Sequence, residues 1–148
     1  MPRAWVLNID AEIELMGRTP SRATRRRTRA YAERVASALP EGDVVLDVDA
    51  VDAPGFDGVA WCPTPRALAR LRDADARVPA APSIDVLRAV NDRTFALARC
   101  ALPGARQVES VEEARAALAR PGTWRLRRGL GFSGRGVHHP DGTDHDLA

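Results

Sequence analysis

The residues between Trp124 and Val137 could bind an anion. The segment reads Trp-Arg-Leu-Arg-Arg-Gly-Leu-Gly-Phe-Ser-Gly-Arg-Gly-Val, so four glycines and a serine stand among arginines. Glycine adopts left-handed backbone conformations at little cost, and such a loop can turn several backbone N–H groups toward one ligand. Arginine adds a permanent positive charge and forked donors that suit a phosphate. The composition therefore predicts a phosphate-binding loop.

The context of this segment excludes two common phosphate-binding loops. Gly129-Leu-Gly131-Phe-Ser-Gly134 has the spacing of a dinucleotide fingerprint. That fingerprint follows a first strand, opens a helix and precedes an acid about 20 residues further on. Here the glycines come late in the sequence, and residues 137–142 predict a return strand and a turn. A P-loop needs a Gly-Lys-Ser/Thr ending, which is absent. The pattern favours a strand, a glycine-rich hairpin loop and a second strand, which together form a flap over phosphates.

The residues upstream have the pattern of an open α/β sheet that could carry this flap. Short apolar runs alternate with amphipathic segments, which is the order of elements in such sheets. A proline-rich connector follows at 78–82. Strands are predicted at 4–9, 44–48, 58–62, 105–108 and 124–128, and helices are predicted after the capping residues Ser21, Thr64, Ser83, Asp92 and Ser110.

Acidic residues follow the first predicted strand, at the end where open α/β sheets place their sites. They are Asp10, Glu12 and Glu14. No base or metal ligand stands at a recognisable spacing from them, so we expect solvated loop charges.

Two patterns resemble metal sites only superficially. Counted from Asp47, the positions at which an EF-hand needs Gly and Glu hold Asp52 and Gly58. The histidines at 138, 139 and 145 lie in a turn-rich stretch, and adjacent residues of a strand point to opposite faces. We therefore predict no metal ligands in this chain.

Composition narrows the class of protein. The 148 residues fit one ordinary domain, and 45% hydrophobic content is enough for a core. No apolar run approaches the ~20 residues that cross a bilayer, so we expect no membrane partner and a cytoplasmic location. Cys62 and Cys100 are too few for a disulfide scaffold or a cysteine zinc site, and we expect both to be buried.

All 22 basic residues are arginine, which excludes lysine chemistry within the chain. The net charge of +2 does not by itself favour nucleic acid. The densest basic run, Arg22 to Arg29, opens the helix predicted at 21–39 and is typical of a solvated helix face or a phosphate contact. The apolar stripe predicted for that helix is Ala30, Tyr31, Val35, Ala36 and Leu39.

From residue 81 onward the sequence resembles the ATP-grasp superfamily. Residues 81–93, Ala-Pro-Ser-Ile-Asp-Val-Leu-Arg-Ala-Val-Asn-Asp-Arg, resemble the junction after a pre-ATP-grasp domain. Residues 104–110 with the capped helix after them, followed by residues 124–136, resemble the strand with a nucleotide-contacting lysine and the family's mobile glycine-rich loop. The resemblance implies an α/β fold: a Rossmann-like open sheet (pre-ATP-grasp) at 1–80, an incomplete α+β ATP-grasp subdomain at 81–137, and a disordered tail at 138–148.

The resemblance also implies a site for ATP. Arg93 and Arg127 stand where the family usually has lysines that reach the nucleotide phosphates. Arginine keeps the charge and can bind phosphate through two parallel hydrogen bonds, although its reach differs. The flap N–H groups would close over the phosphates. The implied cofactor-binding residues are Arg93, Arg127, Gly131, Ser133, Gly134, Arg135 and Gly136.

The family's second subdomain, which holds magnesium through acidic and amide residues, has no counterpart in this sequence. We therefore expect the N-terminal part of an ATP-dependent carboxylate ligase, joining an amine or a thiol, which binds nucleotide phosphates without catalysing the reaction alone. Magnesium is expected only in a full-length form.

The alternative is a non-catalytic Rossmann-like binding module whose arginine-rich helix contacts an acidic partner or RNA. The ligase interpretation carries a structural corollary. If the flap strand at 124–128 has an unpaired edge, we expect either disorder after about Val137 or a homo-oligomer formed through that edge.

Overall fold

A computed structural model describes residues 1–49, 51–122 and 124–130, together with the backbone of residues 137 and 138. In this part of the chain the fold is mixed α/β, with six helices, a three-stranded parallel sheet and a two-stranded antiparallel sheet. The strands are β1 (Arg3–Val6), β2 (Val44–Val45), β3 (Asp57–Ala60), β4 (Leu126–Arg127) and β5 (Val137–His138). The helices are α1 (Ala11–Leu15), α2 (Arg22–Ala36), α3 (Pro65–Asp73), α4 (Ile84–Asn91), α5 (Arg93–Cys100) and α6 (Val111–Leu118).

The chain divides into two compact units, Met1–Arg88 and Ala89–Ala148. The division falls within α4. The domain boundary that the family resemblance implies at residue 80 stays a prediction. None of the helices in the described residues combines the length and the apolar composition that crossing a bilayer requires.

The first unit is built on the parallel sheet, in the order β2-β1-β3. β1 lies in the centre, with Ala4 opposite Val44 on one side and opposite Gly58 on the other. After β2 the chain crosses to the far side of β1 to form β3. The carboxyl ends of β1 and β2 therefore meet at one edge, where open α/β sheets bind ligands. The predicted alternation of strands and helices is confirmed for this unit, although each strand is shorter than predicted.

Side chains of β1 alternate between the two faces of the sheet, as the pleat requires. Ala4 and Val6 join the buried cluster that includes Ala67 and Leu71 of α3. Trp5 packs on the opposite cluster, which contains Ala32 of α2. Each face of the sheet is thus covered by one helix.

Small side chains on α2 face the sheet. Ala32 is 1% exposed, whereas Tyr31 and Val35 are 44% and 39% exposed. The predicted apolar stripe is therefore wrong for Ala30, Tyr31 and Val35, whereas Ala36 and Leu39 pack against the buried cluster as predicted. The buried Thr24 lies two turns before Ala32 on the same side of the helix. Such a row of small residues allows close packing on the sheet.

Local signals at the helix starts are confirmed. Thr24 N–H donates to Ser21 Oγ at 3.1 Å, and Ala67 N–H donates to Thr64 Oγ1 at 3.4 Å. In the second unit, Glu113 N–H donates to Ser110 Oγ at 3.1 Å. Each hydroxyl satisfies a donor that the first turn of a helix leaves unpaired.

The second unit contains α5, α6 and the hairpin of β4 and β5. Leu126 pairs with His138 and Arg127 with Val137 in antiparallel register. The predicted order of strand, glycine-rich loop and return strand is confirmed for the two strands. The loop residues from Gly131 to Gly136 lie outside the described residues, as does the tail from residue 139 onward.

Two other predictions are wrong. Residues 105–108 are not a strand, and in the described part of the chain both strands of the second unit pair only with each other. Cys100 is exposed, although Cys62 is buried as predicted. The exposed position follows from α5, which in its described length has no buried residue.

Candidate functional site

The structure places two of the predicted nucleotide-binding residues in the second unit. Arg93 is the first residue of α5, and Arg127 is an exposed residue of β4. The other five, Gly131, Ser133, Gly134, Arg135 and Gly136, lie outside the described residues.

Arg93 holds the point at which β4 passes into the glycine-rich loop. Its backbone N–H donates to the carbonyl of Gly129 at 3.0 Å. Its guanidinium Nη1 donates to the carbonyls of Arg128 and Gly129 at 2.6 and 3.3 Å. The guanidinium therefore contacts the backbone of the hairpin base. The sequence predicted that Arg93 contacts a phosphate. The structure places Arg93 beside the start of the glycine-rich segment, and the phosphate contact itself stays a prediction.

Gly129 is needed at the hairpin base because of the Asp92 carboxylate. A Cβ atom on Gly129 would lie 2.5 and 2.7 Å from the two Asp92 oxygens, which is closer than real contacts allow. Asp92 cannot easily move, because its Oδ1 accepts a hydrogen bond from Thr94 N–H at 2.8 Å and caps α5. The backbone of Gly129, just after β4, is thus packed against the side chain of Asp92, which precedes α5.

A second candidate site lies in the first unit. We call it the sheet-edge cleft: a cavity of about 340 Å³ at the carboxyl ends of β1 and β2. Residues 6–10 and Asp47 form its floor. Arginines line it from two helices, namely Arg25 and Arg29 of α2 and Arg66 and Arg70 of α3.

Asn8 ties the ends of β1 and β3 together beside this cleft. Its amide Nδ2 donates to the carbonyl of Cys62 at 2.7 Å, and Cys62 N–H donates to Asn8 Oδ1 at 3.1 Å. Asn8 has φ of 21°, a left-handed value that asparagine tolerates better than most residues. The paired amide contacts hold the turn in place. Burial next to this turn raises the pKa of the Cys62 thiol, and the charges of Glu12 and Glu14 raise it further.

The acids after β1 form an ion-pair network, so the prediction of solvated loop charges is wrong for Asp10 and Glu14. Asp10 is 5% exposed and accepts a hydrogen bond from Arg66 Nη2 at 2.7 Å. Glu14 Oε1 accepts from Arg66 N–H at 2.9 Å, and Glu14 Oε2 accepts from Thr64 Oγ1 at 2.7 Å. A carboxylate is favoured there because it meets the N–H groups of the first turn of α3.

The sequence held a weak signal for this network. Thr64-Pro65-Arg66 opens a predicted helix after a strand, and the acids follow a neighbouring strand. Carboxyl ends of parallel strands meet at one edge, so these residues could be brought together. Their separation of 50 residues or more along the chain hides the pairing from any local pattern.

Two arginines of the cleft also hold the backbone after β2. Arg70 Nη2 donates to the carbonyl of Leu46 at 2.7 Å, and Arg29 Nη2 donates to that of Val48 at 3.3 Å. These bonds orient the guanidinium groups toward the strand end. Within the described residues, neither Arg25 nor Arg70 has a carboxylate within ion-pair distance.

Asp47 adds a half-buried carboxyl to the cleft floor. Its Oδ2 accepts a hydrogen bond from Leu7 N–H at 2.5 Å. Burial raises the pKa of Asp47 above its ordinary value of 3.8, and the charge of Asp10 adds to this effect. The N–H groups of Leu7 and Asn8 and the charge of Arg70 oppose it.

Comparison of the chain with protein-family models, with curated proteins and with solved structures gave no match.

Proposed function

We propose that this chain is the nucleotide-binding, N-terminal part of an ATP-dependent carboxylate ligase of ATP-grasp type. The first unit would be the Rossmann-like pre-ATP-grasp domain, and the hairpin of β4 and β5 would be the flap over the phosphates of ATP. The observation that carries this proposal is the antiparallel pairing of β4 with β5 on either side of the glycine-rich sequence.

The contacts at the hairpin base support a flap. A loop that closes over a ligand needs a fixed base, and the bonds from Arg93 to Arg128 and Gly129 supply one. The glycines beyond that base would turn their N–H groups toward the phosphates. Exposed Arg127 on β4 would add a forked donor beside them. Arg93 thus acts in this proposal by positioning the hairpin.

This proposal gives the chain nucleotide binding and no catalytic residue. Phosphoryl transfer depends on positioning and on metal-borne charge stabilisation. An ATP-grasp ligase would use ATP and magnesium to convert a carboxylate into an acyl phosphate, which an amine or a thiol then attacks. The chain itself would contribute nucleotide binding without turnover.

Titration calorimetry with ATP tests the proposal. Arg127→Gln removes the charge and the fork of the exposed arginine, and we expect about tenfold weaker ATP binding from the loss of one charged hydrogen-bonding group. Arg125→Gln is the matched control, because it removes the same charge two residues earlier. Inorganic tripolyphosphate should compete with ATP, since the phosphates are the recognised part.

Equal weakening by Arg125→Gln and Arg127→Gln would indicate attraction by net charge alone and would contradict a specific phosphate contact. Competition by adenosine as strong as that by tripolyphosphate would also contradict it.

The alternative, an arginine-rich helix for an acidic partner or RNA, has less support. Arg25 and Arg29 line the sheet-edge cleft, which leaves Arg22, Arg26 and Arg27 of that run as exposed residues directed elsewhere. A homo-oligomer formed through the flap also stays a proposal. One edge of β4 pairs with β5 within the chain, so only its other edge would be used.

A further inference from the structure

We propose that the sheet-edge cleft of the first unit is a separate binding site for a small phosphate monoester whose body carries hydroxyl groups, as in a sugar phosphate. The proposal rests on residues 6–70 and is independent of the hairpin. Three features carry it: two cleft arginines, Arg25 and Arg70, that form no ion pair within the described residues, the half-buried carboxyl of Asp47, and the position at the carboxyl ends of β1 and β2.

The arginines provide the anion site. Arg25 and Arg29 are one turn apart on α2, and Arg66 and Arg70 are one turn apart on α3. Arg66 is neutralised by Asp10 and Glu14, so it positions the floor of the cleft. Arg70 donates from Nε and Nη2 to the carbonyl of Leu46. Its third guanidinium nitrogen, Nη1, makes neither of these bonds and could donate to a ligand.

Arg25 is the clearest candidate for direct contact. It is exposed, it lines the cleft, and it has no ion pair within the part of the chain that the structure describes. Together with Arg70 of α3, which also lines the cleft, it would bind a phosphate dianion. Arg29 adds charge, although Glu33 shares its guanidinium at 3.1 Å.

Asp47 provides the hydroxyl site. Its carboxyl lies on the cleft floor at the end of β2, and one of its oxygens accepts from Leu7 N–H. A carboxylate has acceptor capacity for more than one donor, so a ligand hydroxyl can share it. A second phosphate on the ligand would be repelled there, which favours a monoester with a polyol body.

The size of the cleft suits such a ligand. A volume of about 340 Å³ lies at the lower end of ligand pockets. Apolar side chains of Val6, Leu7, Ile9, Ala32 and Ala67 line the remainder and would contact the carbon skeleton.

Calorimetric titration of the full chain tests this site with defined probes: ribose 5-phosphate, ribose, inorganic phosphate and succinate. We expect ribose 5-phosphate to bind and inorganic phosphate to compete more weakly, whereas ribose alone should show no binding. Arg25→Gln should weaken ribose 5-phosphate binding about tenfold, as expected for one charged hydrogen-bonding group. Arg26→Gln is the matched control, since Arg26 is the next residue of α2 and does not line the cleft; it should leave the affinity unchanged.

Two further variants separate this site from others. Asp47→Asn should weaken binding of ribose 5-phosphate relative to that of inorganic phosphate, because the hydroxyl contact is altered, whereas the loss of a negative charge near Arg70 acts on both ligands alike. Arg127→Gln should leave both unchanged, so failure of the hairpin proposal and failure of this one are distinguishable. Thermal denaturation of each variant verifies that it folds.

Three results would overturn the proposal. They are the absence of ribose 5-phosphate binding, equal weakening by Arg25→Gln and Arg26→Gln, and tighter binding of succinate than of ribose 5-phosphate. The last result would assign the cleft to a dicarboxylate.

Discussion

At the scale of single residues, a few polar side chains fix the ends of strands. Asn8 holds the end of β1 against Cys62, and Arg93 holds the end of β4 through the carbonyls of Arg128 and Gly129. Each uses hydrogen bonds to backbone atoms that would otherwise lack partners. Both candidate sites lie next to these hydrogen-bonded strand ends. The side chains that could bind a ligand therefore project from backbone that hydrogen bonds hold in place.

Gly129→Ala should destabilise the second unit. The new Cβ would meet the Asp92 carboxylate, which must rotate and abandon its cap on Thr94 N–H, so we expect a loss of about 1 kcal/mol in the free energy of unfolding. Urea denaturation of the single variants Gly129→Ala and Asp92→Ala and of the double variant measures it. In the Asp92→Ala background the penalty of Gly129→Ala should largely vanish; an unchanged penalty would show that the carboxylate is not its cause.

Asp47 should make stability depend on pH. Its pKa is higher in the folded state than its ordinary value, so protonation of this carboxyl stabilises the folded state relative to the unfolded state. The stabilisation is fully present below the ordinary value of 3.8 and is lost as the pH rises through the raised pKa. The negative charge of Asp10 raises the pKa of Asp47, whereas the positive charge of Arg70 lowers it.

Asp47→Asn removes that titration. The free energy of unfolding of the variant, relative to the native chain, should rise as the pH increases from about 4 toward 7 and then level off. Urea denaturation across this pH range measures the difference. A difference that is constant, or that grows toward acid pH, would contradict the raised pKa.

At the scale of elements, close packing of α2 on the sheet depends on small residues. Ala32 is buried among Leu7 and Val45, whereas Ala30 on the same helix is exposed. Ala32→Leu should therefore destabilise the chain by about 1–3 kcal/mol through overpacking. Ala30→Leu is the matched control and should change stability by no more than about 0.5 kcal/mol. Equal effects in urea denaturation would contradict the assignment of the buried face.

The elements also show what the sequence could predict. Caps at Ser21, Thr64 and Ser110 were predictable because a hydroxyl and the N–H that it accepts from lie three residues apart. The hairpin was predictable for a similar reason, since β4, its loop and β5 are continuous in sequence. The stripe was wrong at Tyr31 and Val35 because the buried residues of this helix are the small Thr24 and Ala32, which hydrophobicity scales rank low. The stripe members Ala36 and Leu39 pack as predicted.

The sheet-edge cleft was not predictable from local patterns. Its pairs join Asp10 to Arg66 and Leu7 to Asp47, which are 56 and 40 residues apart. Only the order of the strands brings them to one edge. The arginine run of α2 was visible in the sequence, but the distinction between arginines that line the cleft and those that do not requires the fold.

At the scale of the molecule, two compact units carry two different candidate sites for anions. The first unit presents arginines from two helices at a sheet edge, and the second presents a glycine-rich hairpin on a held base. Both sites use arginine, since the chain contains no lysine, and in both an arginine lies beside hydrogen-bonded backbone. We propose that the hairpin of the second unit binds the phosphates of a nucleotide.

The most direct measurement is the mapping of backbone amide chemical shifts by NMR during titration with ATP. We expect the largest changes on the amides of residues 127–136, and we expect tripolyphosphate to reproduce them. Changes confined to residues 22–29 or to the sheet-edge cleft, or no change up to millimolar ATP, would contradict it.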